Sequence, residues 1–173
     1  MGVEYDIIYT DRRSIGLRIK DGRLTVRAPR GTPREYIDSV VQKHSEWIAK
    51  TVKRETAKRK MYTDLTNAQI MELKTRARQY FEEKCAYYAR LMGVRYRAIT
   101  ITSAKTRFGS CSSSGRISFS YRIMLYPEPA WEYVAVHELA HLIRMDHSPR
   151  FYAVIERYLP DYKERKKLLR ISV

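Results

Sequence analysis

The chain is poor in anything that could cross-link or anchor it. Two cysteines, Cys85 and Cys111, are too few for a disulfide framework and point to a reducing, cytoplasmic setting. No apolar run reaches the roughly 18 residues of a membrane span. The opening Met1-Gly2-Val3-Glu4-Tyr5-Asp6 lacks the basic start and apolar stretch of a secretory signal. Asp6 stands where a myristoylation motif requires Ser or Thr. No internal repeat and no low-complexity segment occurs. What remains is ordinary for a soluble globular chain: 173 residues, 44% hydrophobic and 31% charged. That length fits one domain, or one domain with a small appendage, and excludes a wholly disordered chain.

Acidic residues are also scarce. Nineteen Asp and Glu against 34 Lys and Arg leave a net charge of +15. The excess is clustered. Lys50, Lys53, Arg54, Lys58, Arg59 and Lys60 face one acid, Glu55. A second cluster, between Arg157 and Arg170, sets six basic residues against Asp161 and Glu164. Such patches suit nucleic acid or a nucleotide, whose phosphates they would attract. A solvated basic face with no partner accounts for the same residues.

The N-terminal third reads as strands followed by a helix. Residues 5–9 are apolar and β-branched, and residues 15–19 and 24–28 alternate. Asp21-Gly22 between the last two is a hairpin signal, because a tight primed turn needs positive φ at both central residues. Thr32-Pro33-Arg34-Glu35 reads as a capping box opening one long helix to about Lys60, with Ile37, Val40, Val41, Trp47, Ile48 and Val52 on its apolar face. A break at 61–67 divides the chain into an N-terminal hairpin and long helix, residues 1–60, and a catalytic domain, residues 61–173. Thr66 and Gln69 form a second capping box, before an amphipathic helix that Gly93 ends. Residues 99–102 and 117–125 are β-rich, with a small-residue loop at 109–115 between them. Segment 117–121 is expected to be an exposed edge strand. Helices are expected at about 130–144, from Ser148-Pro149 onward, and from Asp161 to about Arg170.

Histidine is rare as well, with four in the chain, yet three fall close together: His137, His141 and His147. His137-Glu138-Leu139-Ala140-His141 puts two imidazoles at i and i+4, on one face of a helix, where both can grip one metal ion. Zinc suits these ligands, and a catalytic zinc site uses three protein ligands and leaves a position for water. Glu138 lies beside that face and can act as general base. Two hydrogen-bonded core histidines would be the plainer explanation. Against it, Val134, Ala135, Val136, Leu139, Ala140, Leu142 and Ile143 make the helix apolar nearly all round. Burying two imidazoles and a carboxylate there without a compensating ligand is costly. His147 is the favoured third ligand, at the spacing of the longer zincin motif. Arg144 stands where that motif has a glycine, so Asp146, tolerant of left-handed backbone, is expected to make the turn. Glu156 and Asp161 are the alternatives, both more easily read as helix-surface and cap residues.

Four segments resemble the YgjP-like metallopeptidase family: Lys105-Thr-Arg-Phe-Gly-Ser-Cys-Ser-Ser113, Arg116-Ile-Ser-Phe-Ser-Tyr-Arg-Ile-Met-Leu125, Tyr133-Val-Ala-Val-His-Glu-Leu-Ala-His141 and Asp146-His147-Ser148-Pro149-Arg150-Phe151. The N-terminal hairpin, the Trp47-Ile48 helix and Leu159-Pro-Asp-Tyr-Lys-Glu-Arg-Lys-Lys167 are similar too, so the resemblance spans essentially the whole chain. Phe108 replaces an expected tryptophan, and Asp146 an asparagine. SprT-like proteases are more distantly similar. The resemblance implies an α+β, zincin-like fold, zinc on His137, His141 and His147, and Glu138 as base. It implies a metallopeptidase acting on peptides or unfolded protein. Members have also been assigned a nucleotide pyrophosphatase activity on UTP. A nucleic-acid-associated module with a structural metal is a third reading, disfavoured because a structural zinc site is normally closed by four protein ligands.

Other polar residues have two readings each. His44 reads as a structural histidine on the first helix, and Cys85 as core. Cys111 either packs or approaches the metal. Arg107 and Arg150 either stabilise an oxyanion or phosphate, or pair structurally.

Overall fold

The computed structural model describes residues 4–170, apart from the side chain of Lys58; Gly2 lies outside them. The class is α+β, with two small sheets and six α-helices among the described residues. These residues form two compact units, 4–63 and 64–170.

The first unit contains β1 (Tyr5–Thr10), β2 (Gly16–Lys20), β3 (Arg23–Pro29), α1 (Arg34–Lys43) and α2 (Ser45–Thr63). The β2–β3 hairpin turns at Asp21 and Gly22, with φ of 52° and 82°, the primed geometry expected of that pair. β3 is central, antiparallel to β2 and parallel to β1. Its inward residues Leu24, Val26 and Ala28 form a core with Ile37, Val41 and Ile48.

The single long helix expected here is two. The chain breaks at His44, φ −103° and ψ 13°, whose N–H donates to both Val40 and Val41 carbonyls at 3.2 and 3.1 Å. The break resets the helical phase, so His44 and Trp47 are exposed, not on the apolar face. The capping box at Thr32 does not form either. Thr32 Oγ1 donates to the Pro29 carbonyl at 2.8 Å instead, and Pro33 is the N-cap. Along α2, Lys50, Lys53, Arg54, Arg59 and Lys60 are exposed. None of the described helices is long and apolar enough to cross a membrane.

The second unit starts with α3 (Asn67–Met92). Here the capping box does form: Thr66 Oγ1 accepts from Gln69 N, and Gln69 Oε1 from Thr66 N. Its apolar stripe, Ala77, Phe81, Cys85, Tyr88 and Met92, is buried, and Gly93 ends it at φ 66°. A second sheet follows, of β4 (Ala98–Thr102), β5 (Gly109–Cys111) and β6 (Arg116–Ser120), in the order β4-β6-β5. The Phe81 and Phe119 rings stack at 3.8 Å between α3 and this sheet. Three helices complete the unit: α4 (Glu128–Ala140), α5 (Pro149–Tyr158) and α6 (Tyr162–Leu168).

Three expectations for this region are corrected. The small-residue stretch is not all loop, because Gly109–Cys111 pairs antiparallel with β6. The strand read through 125 stops at Ser120. Ser120 Oγ donates to the Ala104 carbonyl and caps a 3-10 turn, Tyr121–Leu125. Most important for function, β6 is the central strand, so segment 117–121 is no edge. Among the described residues the edges of this sheet are β4 and β5.

Candidate metal centre

α4 delivers the first residues of the site. It is buried on nearly every side, as its sequence predicts. His137 lies in its last turn and His141 at its C-terminal cap. The helix then unwinds. Leu142 and Ile143 N–H groups donate to the Leu139 and Ala140 carbonyls, each at 3.0 Å. Asp146 reverses the chain, but not by left-handed backbone, since Asp21 is the one non-glycine residue with positive φ among those described. Instead its Oδ1 accepts from Ser148 N at 3.2 Å and Ser148 Oγ at 2.7 Å. This side-chain turn brings His147 back over α4 just before α5 begins.

The three imidazoles converge. One ligand atom from each of His137, His141 and His147 lies within 4.8 Å of the others. His137 and His147 meet through their Nε2 atoms at 3.2 Å. The Nδ1 atoms are engaged elsewhere: Tyr133 Oη lies 3.3 Å from that of His137, and the Arg144 carbonyl 3.1 Å from that of His141. Such outer partners orient an imidazole and fix which nitrogen is available. Phe151 packs against all three rings, with centroids 4.9, 4.5 and 5.0 Å away.

Glu138 is buried, 5% exposed. Its carboxylate lies against the backbone of β5. A Cβ placed on Gly109 would come within 2.7 Å of both Glu138 Cγ and Cδ. Burial pushes the Glu138 pKa up to about 8, with Arg107 opposing. Burial, then the neighbouring His141 and His147, pulls that of His137 down to about 3. Burial also lowers that of His141. Neutral imidazoles are the form that offers a lone pair to a metal.

The other sequence candidates separate. Glu156 is exposed beside Lys163 at 3.7 Å, and Asp161 accepts from Arg165 Nε at 2.8 Å, so neither joins the histidines. Arg150 is exposed. Arg107 is exposed too, and lines a small cavity of about 90 Å³ with Phe108, Gly109 and Ser118. Cys111 lies on β5, outside the ligand cluster, and burial together with Glu138 raises its thiol pKa to about 11. Sequence reasoning missed Gly109 and Tyr133. Tyr133 stands one helical turn before His137, a spacing that could have revealed it. Gly109 gave no such signal, because its neighbour comes from a distant element.

A family model of the YgjP-like metallopeptidase domain matches residues 13–72 and 63–172. The chain belongs to the YgjP-like metallopeptidase family. No curated protein matches this YgjP-like chain. A solved structure, the metallopeptidase zymogen of Pyrococcus abyssi abylysin, is similar at 24% identity and a TM-score of 0.46, over 50% of this chain and 89% of that one.

Proposed function

We propose that this YgjP-like protein is a zinc-dependent peptidase, with His137, His141 and His147 as metal ligands and Glu138 as general base. The convergence of three imidazoles, with the buried Glu138 next to His137 in the chain, carries this reading. The donor set fits zinc: three borderline nitrogen ligands, no fourth Cys, His or acid in the cluster among the described residues, and outer partners on two of the rings. Once bound, the ion supplies a Lewis acid and lowers the pKa of a coordinated water to about 7.

The protein's own groups then divide the work. With Nε2 as ligand atom, Nδ1–H of His137 donates to Tyr133 Oη and that of His141 to the Arg144 carbonyl, which holds both rings in orientation. Glu138 takes the proton of the attacking water and delivers it to the leaving amine. Its burial keeps competing solvent from that carboxylate. An extended substrate adds to the outer edge of β5. The Phe108 carbonyl accepts from Ser120 N, and Ser112 N donates to the Arg116 carbonyl. By alternation along an antiparallel ladder, the backbone groups of Gly109 and Cys111 therefore face outward.

Zinc-loaded protein and its Glu138→Gln variant, assayed on unfolded protein and on a nucleoside triphosphate panel including UTP, test the reading. Metal should stay in the variant while peptide hydrolysis falls by roughly 10²-fold or more. Full peptide hydrolysis in the variant rejects Glu138 as base. Release of pyrophosphate from a triphosphate, lost in Glu138→Gln and unaccompanied by peptide cleavage, assigns the centre to nucleotides instead.

A further inference from the structure

A second feature adjoins the histidines. A pocket of about 400 Å³ is lined by Tyr152, Tyr162, Lys163, Lys166, Lys167 and Arg170. Aromatic rings connect it to the candidate centre. Tyr152 stacks on Tyr162 at 5.9 Å and lies 6.5 Å from His147. Tyr162 stacks on Tyr133, whose hydroxyl reaches His137. The charged groups among its described lining residues are all cationic, and they are weakly neutralised. Lys163 and Lys167 have exposed acidic neighbours at 3.7 Å, Glu156 and Glu164. Among the described residues, Lys166 and Arg170 have no carboxylate within 4.0 Å. Lys166 is half-buried and held in place. Its Nζ lies 3.2 Å from Tyr152 Oη and 4.6 Å from the centre of that ring.

We propose that this pocket selects peptide substrates carrying a carboxylate close to the scissile bond, with Lys166 as the specificity-determining residue. The proposal rests on the peptidase reading above. Among the described residues, the half-buried Lys166 ammonium fixed by an aromatic ring has no anion to complete its shell, and a carboxylate entering beside the tyrosines would supply one. The tyrosine rings would cover the apolar stem of an acidic side chain. A phosphate group fits less well. Among the described residues no glycine lines the pocket to offer a backbone cradle, and three of the four cations are lysines, point charges without the forked geometry of arginine. The carboxylate can come from an Asp or Glu side chain or from a free C-terminus.

Matched fluorogenic peptides distinguish these sources. They differ only in Glu or Gln on either side of the scissile bond, each with a free or amidated C-terminus. The wild-type protein should favour the acidic member by about tenfold in kcat/KM at low salt, with the preference shrinking as salt rises. A preference for Glu over Gln in amidated peptides identifies the side chain as source; one that follows the free terminus identifies the C-terminus. Lys166→Met keeps the aliphatic stem over Tyr152 and should bring the acidic-to-neutral ratio toward one, whereas Lys166→Arg should retain it. Arg170→Gln should lower the ratio in part. An unchanged ratio in metal-replete Lys166→Met overturns the proposal. Binding of the same peptides to metal-loaded Glu138→Gln protein, followed by fluorescence anisotropy, separates the two ideas. An acidic preference in binding that Lys166→Met abolishes supports the pocket even if the parent protein cleaves none of the peptides, an outcome that sinks the peptidase reading alone. Displacement of the acidic peptide by inorganic triphosphate at lower concentration than by unlabelled acidic peptide overturns the carboxylate assignment.

Discussion

The carboxylate of Glu138 occupies the space that a side chain at position 109 would fill. A Cβ on Gly109 would lie within 2.7 Å of Glu138 Cγ and Cδ, closer than real Cβ atoms approach. Gly109 has no positive φ, so the glycine serves room, not backbone freedom. Gly109→Ala should therefore displace the carboxylate and lower peptide turnover by about tenfold or more, since a misplacement of about 1 Å can cost that much. The histidines are untouched, so zinc content by elemental analysis should remain at wild-type level. Full activity in Gly109→Ala would show that Glu138 has slack to move.

Metal binding itself should follow the three imidazoles. His137→Ala and His141→Ala should abolish stoichiometric zinc. His147→Ala should weaken binding severely, because His147 is exposed and reaches the cluster from beyond the helix. Chelation of the wild-type protein should lower its Tm, since an ion that binds only the folded chain stabilises it. Isothermal titration and thermal melts check both outcomes. Unchanged zinc affinity in His147→Ala would remove it from the ligand set.

The outer edge of β5 gives a test of substrate docking. Cys111→Pro removes an N–H that faces away from β6, leaving the Ser110–Ser118 pair of the ladder intact. KM for peptides should rise several-fold with metal content unchanged. The same substitution at Ser110 should instead damage the sheet, seen as a lower Tm. Equal KM in Cys111→Pro and the parent would place the peptide elsewhere.

Glu132 joins three helices. Its carboxylate accepts from Tyr88 Oη of α3 at 2.9 Å and from Arg165 of α6 at 2.5 Å, with Lys84 at 3.8 Å. These partners are only part-buried, so Glu132→Ala should cost about 1–3 kcal/mol by denaturant unfolding. A loss near zero would mean that water replaces the carboxylate at no cost.

The two thiols predict a pH dependence. Burial raises Cys85 to about 12, and burial with Glu138 raises Cys111 to about 11, from an ordinary 9.0. Both folded values exceed the unfolded one, so ionisation favours the unfolded chain. Their contribution to stability is intact below about pH 9 and is lost as pH rises from there toward 11 and 12. Native protein should react with iodoacetamide at pH 8 far more slowly than an unstructured thiol, and denaturant should restore ordinary rates at both sites. Rapid native labelling of Cys111 would contradict its depressed ionisation.

Local chemistry and periodicity determined much of this protein without any tertiary information. The Asp21-Gly22 turn, the Thr66–Gln69 box and the Gly93 stop depend on residues within a few positions of each other, and each forms as read. The approach of His137 to His141 was legible for the same reason, because an i, i+4 spacing puts two side chains on one face of a helix. Tertiary structure decided what involves distant partners. The break at His44 turns α2 so that Trp47 faces water, and no residue near it announces this. Strand order made β6 central and β5 the edge, since pairing partners are chosen across the fold and the alternation of 117–121 is the same in either position. Only the folded chain brings Gly109 against Glu138 and sets Lys166 beside Tyr152 at the mouth of a pocket. Each of these contacts spans elements whose sequences carry no record of one another, so their geometry follows from packing.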